Sequence, residues 1–311
     1  MNLISIEDLS VRFSTRSECI RAVETVNLDI ARGDHVALIG ESGCGKTVLG
    51  MAVMGLLPKN ARIGGAVRYR EHDIIQAAEP DIQRIRGKEI AMIMQNSANT
   101  LNPVKTVGSQ IAEPLLIHQI LPAKAAHAEA VRLLAAMRFD EPERAAERYP
   151  HEFSGGMRER ILVAIALACQ PDVVIADEPT SGLDAGVKSQ ILVLLKQQMA
   201  DRTLFLITHD MGTAYFLCTR IAVMYAGEIV EIGSTHDLLS MPMHPYTQGL
   251  LASLPSAGLH PIPGMSPSPA YLPEGCRFCA RCPAATDRCS TCHPPLNDVS
   301  GTRQVRCFCY D

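Results

Sequence analysis

Residues Gly40-Glu-Ser-Gly-Cys-Gly-Lys-Thr47 decide how this chain is read. They fit GxxxxGK followed by Ser or Thr, set between an apolar run, Val36–Ile39, that predicts a strand and a segment from Thr47 that predicts a helix. Gly40, Gly43 and Gly45 let successive backbone N–H groups, including those of Ser42 and Cys44, turn inward around one anion. The helix that starts there points its positive end at the same place. Lys46 adds a point charge for terminal phosphates, and Thr47 offers a hydroxyl to Mg²⁺. A strand, a phosphate loop and a helix in that order predict an α/β nucleotide-binding core.

Working outward, Leu3–Phe13 and Val23–Ile30 alternate apolar and polar side chains, the period of half-buried strands, and predict a small sheet beside the loop. Gly64-Gly65 reads as a turn before Val67-Arg-Tyr69, and Pro80–Arg86 as a short helix. Leu121–Ala146, rich in Ala, Glu and Arg at helical spacing, predicts a helical insertion. A helix over Met157–Cys169 then leads into Val173–Ala176, an apolar run expected to be buried on both faces of a parallel sheet. Leu204–Thr208 is a second such strand, preceded by a helix from about Val187 to Ala200. Strands alternating with helices imply a mostly parallel sheet.

The chain has 311 residues, enough for one large core or two domains. Its net charge of −4, with no basic run carrying interleaved aromatics, gives no support for nucleic-acid binding. The most apolar stretch, Ile161–Ala176, is broken by Gln170, Pro171 and Asp172, short of the ~20 residues a membrane helix needs. The N-terminal residues carry charges among the apolar ones and lack a signal-peptide core, so a cytosolic location is expected. Thiols there stay reduced, which matters because seven of the eleven cysteines lie after residue 275.

Asp177 closes the run Val173–Ala176, so it falls at the carboxyl end of a strand, where open α/β sheets bind ligands and where a carboxylate can hold Mg²⁺. Glu178 follows, placed to deprotonate a water attacking a γ-phosphate. An isolated Asp-Glu-Pro would read as a turn cap; the loop upstream favours the catalytic reading.

With these segments together, the chain resembles the ATP-binding subunits of ABC transporters over nearly its whole length. Ser154-Gly155-Gly156 is similar to the family's signature motif, with Phe153 where leucine is usual and Glu159 where glutamine is common. The resemblance implies a head-to-tail dimer in which this segment caps the γ-phosphate held by the other subunit. Gln95 matches the Q-loop glutamine, which touches the metal or the attacking water. Asp184, in Ser181-Gly-Leu-Asp184, matches the D-loop, and His209 matches the switch histidine that contacts the γ-phosphate. Phe13 is the candidate for stacking on adenine, with a core strand residue as the alternative. The implied fold is an α/β, P-loop NTPase core of ABC type with an antiparallel β subdomain, a helical subdomain (about 96–160) and a small Cys-rich tail. The nucleotide-binding domain would span residues 1–254, and the tail 255–311.

His244-Pro-Tyr-Thr-Gln-Gly-Leu-Leu-Ala-Ser253 resembles a segment of the oligopeptide, dipeptide and nickel importers, and Asn102-Pro103 agrees with that branch. After it, prolines crowd the chain and Gly275-Cys-Arg-Phe-Cys-Ala-Arg-Cys282-Pro is similar to the branch's closing motif. The resemblance implies a 4Fe-4S cluster on Cys276, Cys282, Cys289 and Cys307. Cys279, Cys292 and Cys309 are extra. Paired CxxC units at Cys279–Cys282 and Cys289–Cys292 are also zinc spacing, so Zn²⁺ stays as the alternative and Cys279 and Cys292 as alternative ligands.

The function implied is an ATPase, using ATP and Mg²⁺, that powers import of peptides or of nickel or other metal chelates. Its partners would be a second ABC ATPase, giving a heterodimer, two membrane permease subunits and an extracytoplasmic substrate-binding protein. Its place would be peripheral, on the cytoplasmic face of the inner membrane. The alternatives are a soluble ABC-type ATPase of a multiprotein complex, and an ATPase whose cysteine tail senses redox state or iron.

Overall fold

The structure, a computed structural model, describes residues 2–15, 18–95 and 100–311. The chain forms two compact units, one of Met1–Gln76 with Ile207–Asp311 and one of Ala77–Leu206.

In the first unit, β1 (Asn2–Ser14), β2 (Cys19–Ala31), β4 (Ala61–Tyr69) and β5 (His72–Asp73) form a four-stranded sheet in the order β2-β1-β4-β5. All its pairings are antiparallel. The alternation read from the sequence is realised here: Ile4, Ile6, Leu9 and Val11 are buried on β1, and Val23, Val26, Leu28 and Ile30 on β2. Gly64-Gly65 is a correction. It does not turn the chain but lies within β4, opposite a break in register between Glu7 and Ser10. Gly65 has φ +80°, and a Cβ there would sit 2.4 Å from the carbonyl oxygens of Glu7 and Asp8. The pair therefore makes a bulge that lets two strands approach closely.

Beside that sheet, β3 (His35–Ile39) pairs in parallel with β9 (Arg220–Tyr225), which turns through Ala226-Gly227 into antiparallel β10 (Glu228–Ser234). Both turn residues have positive φ, 45° and 87°, as a two-residue hairpin of matching twist requires. The tail extends this ladder. β12 (Gln304–Val305) pairs with β10, and β11 (Asn297–Asp298) pairs with β12.

Buried charge ties the tail to β10. Glu231, wholly buried, accepts hydrogen bonds from the backbone N–H groups of Met243 and His244 (2.9 Å each) and from Arg303 Nη2 (2.8 Å). Glu228, 3% exposed, faces His293 Nε2 at 2.8 Å, Arg277 Nε at 3.5 Å and Arg306 Nε at 3.8 Å.

In the second unit, β6 (Ile90–Ile93) pairs in parallel with β7 (Val173–Asp177), and β8 (Thr203–Thr208), which runs on into the first unit, follows β7. Every residue of β7 is buried, as its unbroken apolar run predicts. The helical insertion is more broken than its composition suggests. Helices cover Val107–Ile117, Ala123–Ala136 and Pro142–Ala146. The first was not read from the sequence and carries Pro114 inside it. The second stops near Arg138, whose φ is +61°. Gly155–Leu167 and Ala185–Met199 are the two long helices that follow. Among the described residues no helix is long and apolar enough to cross a membrane.

Two outcomes follow from the buried charges. Glu231→Ala removes the carboxylate facing Arg303, which keeps only the Met241 carbonyl, and leaves the Met243 and His244 amides without their acceptor; it should cost about 3–5 kcal/mol in urea unfolding near neutral pH. Glu24 on β2 bonds to Arg12 and Arg21. Burial works to raise its pKa, but the hydrogen bonds from Arg21 and Arg12 outweigh it and hold the carboxyl at about 2 rather than 4.5. That stability is complete above pH 4.5 and is lost as pH falls toward 2, so Glu24→Gln should flatten the acid limb of a stability–pH profile.

Candidate active site

Local packing makes the Gly40–Thr47 segment a closed loop. Gly40 follows β3 directly, and a Cβ on it would meet the Met224 carbonyl oxygen of β9 at 2.1 Å. Gly45 has φ +107°, and its Cβ would lie 2.2 Å from the Ala22 carbonyl oxygen. Only glycine fits either position. The β9–β10 hairpin supports the loop from below: Gly227 N–H donates to the Cys44 carbonyl (2.9 Å) and its own carbonyl accepts from Glu24 N–H (2.8 Å). Cys44 is buried, and burial pushes its thiol pKa up. Ser42, Gly43 and Thr47 are exposed on the loop.

The helix Lys46–Val53 starts at Gly45 with no side chain capping its first turn, so its N-terminal amides are open to an anion. Lys46, 7% exposed, donates from Nζ to the carbonyls of Gly40 (2.7 Å) and Glu41 (2.9 Å). The ammonium is thus held over the loop rather than extended into solvent. In the same unit, His209 is exposed just after β8. Asp210 beside it caps the helix Met211–Leu217, accepting from Gly212 N–H (2.9 Å). Phe13 is half-buried near the end of β1, opposite Ile20 and Ala61.

The second unit holds the other candidates. Asp177, 2% exposed, ends β7. Glu178 follows, less buried, with φ +49°. A glutamate in the left-handed region is uncommon and costs about 1–3 kcal/mol, a strain that clusters at functional positions. Gln95 is exposed just after β6. Ser154 is the N-cap of Gly155–Leu167, accepting from Met157 N–H (3.4 Å), so this helix begins two residues earlier than its sequence suggests. Gly156 is required by contact, since a Cβ there would lie 2.3 Å from Val187 Cγ1. Phe153 replaces leucine without loss of packing: it is buried edge-on against Phe139 (5.8 Å) under the Arg148 guanidinium (4.6 Å). Asp184 caps Ala185–Met199 with bonds from Gly186 and Val187 N–H (3.0 Å each).

The tail cysteines converge. Cys276, Cys279, Cys282, Cys289, Cys307 and Cys309 line one cavity of about 190 Å³ together with His244 and Phe278. Burial raises the pKa of Cys276 to about 12 and of Cys307 to about 11. Cys292 is exposed and does not line the cavity, whereas Cys309, which spacing did not single out, does. Among the described residues, no group of three or more His, Cys, Asp or Glu side chains is placed to hold a metal ion, so the cysteines share a cavity without forming the metal site expected from their spacing.

Two further residues at the phosphate loop were not legible from motifs. Glu41 N–H donates to the Tyr246 hydroxyl (2.9 Å), and the Glu41 carboxylate pairs with Arg281 Nη1 (3.0 Å). The partners lie 205 and 240 residues further along, and no short-range spacing reveals such a contact.

Comparison with known proteins agrees with this geometry. The family model described as "ABC transporter" matches residues 23–181, and the one described as "Oligopeptide/dipeptide transporter, C-terminal region" matches residues 230–289. The chain is 41% identical to the oligopeptide transport ATP-binding protein AppD of Bacillus subtilis, over 99% of this chain and 97% of that one. It is 39% identical to the oligopeptide transport ATP-binding protein OppD of Escherichia coli, over 98% and 93%. Among solved structures, the ATP-binding cassette MJ0796, a dimer in a post-hydrolysis state with ADP and Pi, superposes with a TM-score of 0.67 at 26% identity, covering 75% of this chain and 98% of that one. The chain belongs to the ABC transporter family of ATPases, in the group that carries the oligopeptide/dipeptide transporter C-terminal region.

Proposed function

We propose that this chain hydrolyses ATP to drive import of peptides through membrane subunits supplied by other polypeptides. The observation that carries the reading is a phosphate loop with the steric and charge features of a nucleotide cradle, in a chain whose C-terminal region matches the oligopeptide/dipeptide group. The relatives named above are peptide transport proteins, which favours peptides over nickel chelates as cargo.

In this reading the loop amides from Gly40 to Thr47 and Lys46 Nζ take the β- and γ-phosphates, and Phe13 stacks on adenine. Thr47, Asp177 and Gln95 would hold Mg²⁺, which neutralises phosphate charge when bound. Glu178 accepts the proton of the attacking water; its strained backbone supports a fixed, demanding orientation. His209 positions that water. Ser154, Gly155 and Gly156, at the N-terminus of their helix, cap the nucleotide of a second ATPase subunit, with Asp184 at the same interface. That second subunit is a different ATPase, and the assembly includes two permeases and a substrate-binding protein, with this chain peripheral on the cytoplasmic face of the membrane. Residues 1–254 act as the nucleotide-binding domain, with a helical subdomain at about 96–160.

Residues 255–311 form an extension that binds a 4Fe-4S cluster. Six cysteines lining one cavity support that reading. Cys276, Cys282, Cys289 and Cys307 would be its ligands, with Cys279 as an alternative, and the cluster would supply a rigid cross-link between segments that have little core of their own.

Glu178→Gln should retain ATP binding but lower hydrolysis and peptide uptake at least ~100-fold in the assembled transporter; unimpaired uptake would refute the catalytic assignment. Protein purified without oxygen should carry about four irons and four sulfides per chain with a brown absorption band. Stoichiometric zinc or no metal in that analysis would replace the cluster reading and leave the ATPase reading intact.

A further inference from the structure

The helix Pro245–Ala252 and the tail grip the phosphate loop at one residue, Glu41. Its backbone N–H donates to the hydroxyl of Tyr246, whose ring is fully buried against Tyr225 (centroids 4.5 Å apart) and Phe278 (5.5 Å). Its carboxylate accepts from Arg281 Nη1 at 3.0 Å and from the Ser266 hydroxyl. Arg281 is not a surface arginine that happens to reach an acid. Its side chain is 6% exposed, and it is fixed by the Pro263 carbonyl (2.9 Å), the Ser266 hydroxyl (3.1 Å) and the Tyr225 hydroxyl (3.3 Å). Arg281 also ends the short turn Cys279–Arg281, between two cysteines of the tail cavity.

A carboxylate within a loop built to receive a polyphosphate is an electrostatic liability. Coulomb repulsion between Glu41 and the ligand acts in a partly buried region where charges are poorly screened. Although burial alone would raise the pKa of Glu41, the hydrogen bonds from Arg281 and Ser266 lower it, so the charge is present at neutral pH. An ion pair with a held guanidinium cancels that charge and fixes where the carboxylate points.

We propose that Arg281 is a positioning residue for nucleotide binding: it neutralises and tethers the Glu41 carboxylate so that the phosphate loop presents an uncontested anion site. The tail thereby sets the ATP affinity of the domain. This rests on the reading that the loop binds ATP, and the test separates the two.

The experiment is equilibrium binding of a fluorescent ATP analogue to the full chain, with steady-state hydrolysis in the assembled transporter. Arg281→Ala should weaken binding about tenfold and raise KM for ATP by a similar factor, with kcat within about twofold. The loss should change little with salt, because the repulsion acts in a partly buried region. Adding Glu41→Gln to Arg281→Ala should restore binding to within about twofold of the parent, which a merely structural role for Arg281 would not produce. Wild-type affinity in Arg281→Ala, or a double variant as weak as Arg281→Ala, would overturn the proposal. Should Arg281→Ala fail to fold, Glu41→Gln alone decides: affinity equal to or tighter than the parent supports it, and a tenfold loss overturns it. Lys46→Ala is the control for the underlying reading. If it binds the analogue as the parent does, ATP binding at this loop is wrong; if it loses binding while Arg281→Ala does not, only the present inference fails.

Discussion

A steric constraint governs the rest of this molecule: there is no room for a Cβ at Gly40 or Gly45. Carbonyl oxygens of Met224 and Ala22 occupy the places those atoms would take. The phosphate loop is thus pressed between the start of β2 and the end of β9, and its amides have few ways to point. Pre-orientation of that kind costs backbone entropy at folding rather than at binding. It also makes the loop sensitive to whatever holds β9 and its hairpin, since Gly227 bonds directly to Cys44.

The tail is the second element that touches this arrangement. Within the first unit it is tied to the rest by charges: Glu231 with Arg303, Glu228 with Arg277, His293 and Arg306, and Glu41 with Arg281. Buried pairs of this type repay their desolvation only with good geometry, so they specify one docking arrangement more than they add stability. Aromatic rings add to these contacts, with Phe278 edge-on to Tyr225 at 5.2 Å and close to Tyr246. A short proline-rich segment thereby becomes part of the unit that carries the phosphate loop.

Much of the fold was legible because its signals are local. The run Val173–Ala176 reads as a doubly buried strand, which it is, and Gly40–Thr47 carries its motif within eight residues. Signals that depend on distant partners were not. Gly64-Gly65 looks like a turn until the opposing bulge at Glu7–Ser10 is seen, and Val107–Ile117 was hidden by Pro114. Glu178 was singled out from the pair Asp177-Glu178, but its left-handed backbone could not be read there. The pairing of Glu41 with Arg281 spans 240 residues and has no sequence period. Cysteine spacing suggested a metal site, of which the described residues show no ligand group, and did not tell which sulfurs share a cavity: Cys309 lines it and Cys292 does not.

The account joins a nucleotide cradle to peptide import, and labelled-peptide uptake tests that join most directly. In vesicles holding the assembled transporter and its binding protein, with ATP on the side of this chain, uptake of a labelled oligopeptide should depend on ATP. It should disappear when ATP is replaced by a non-hydrolysable analogue, and an excess of nickel salt should not compete. Uptake that is indifferent to ATP, or a complex that accumulates nickel and not peptide, would contradict the account.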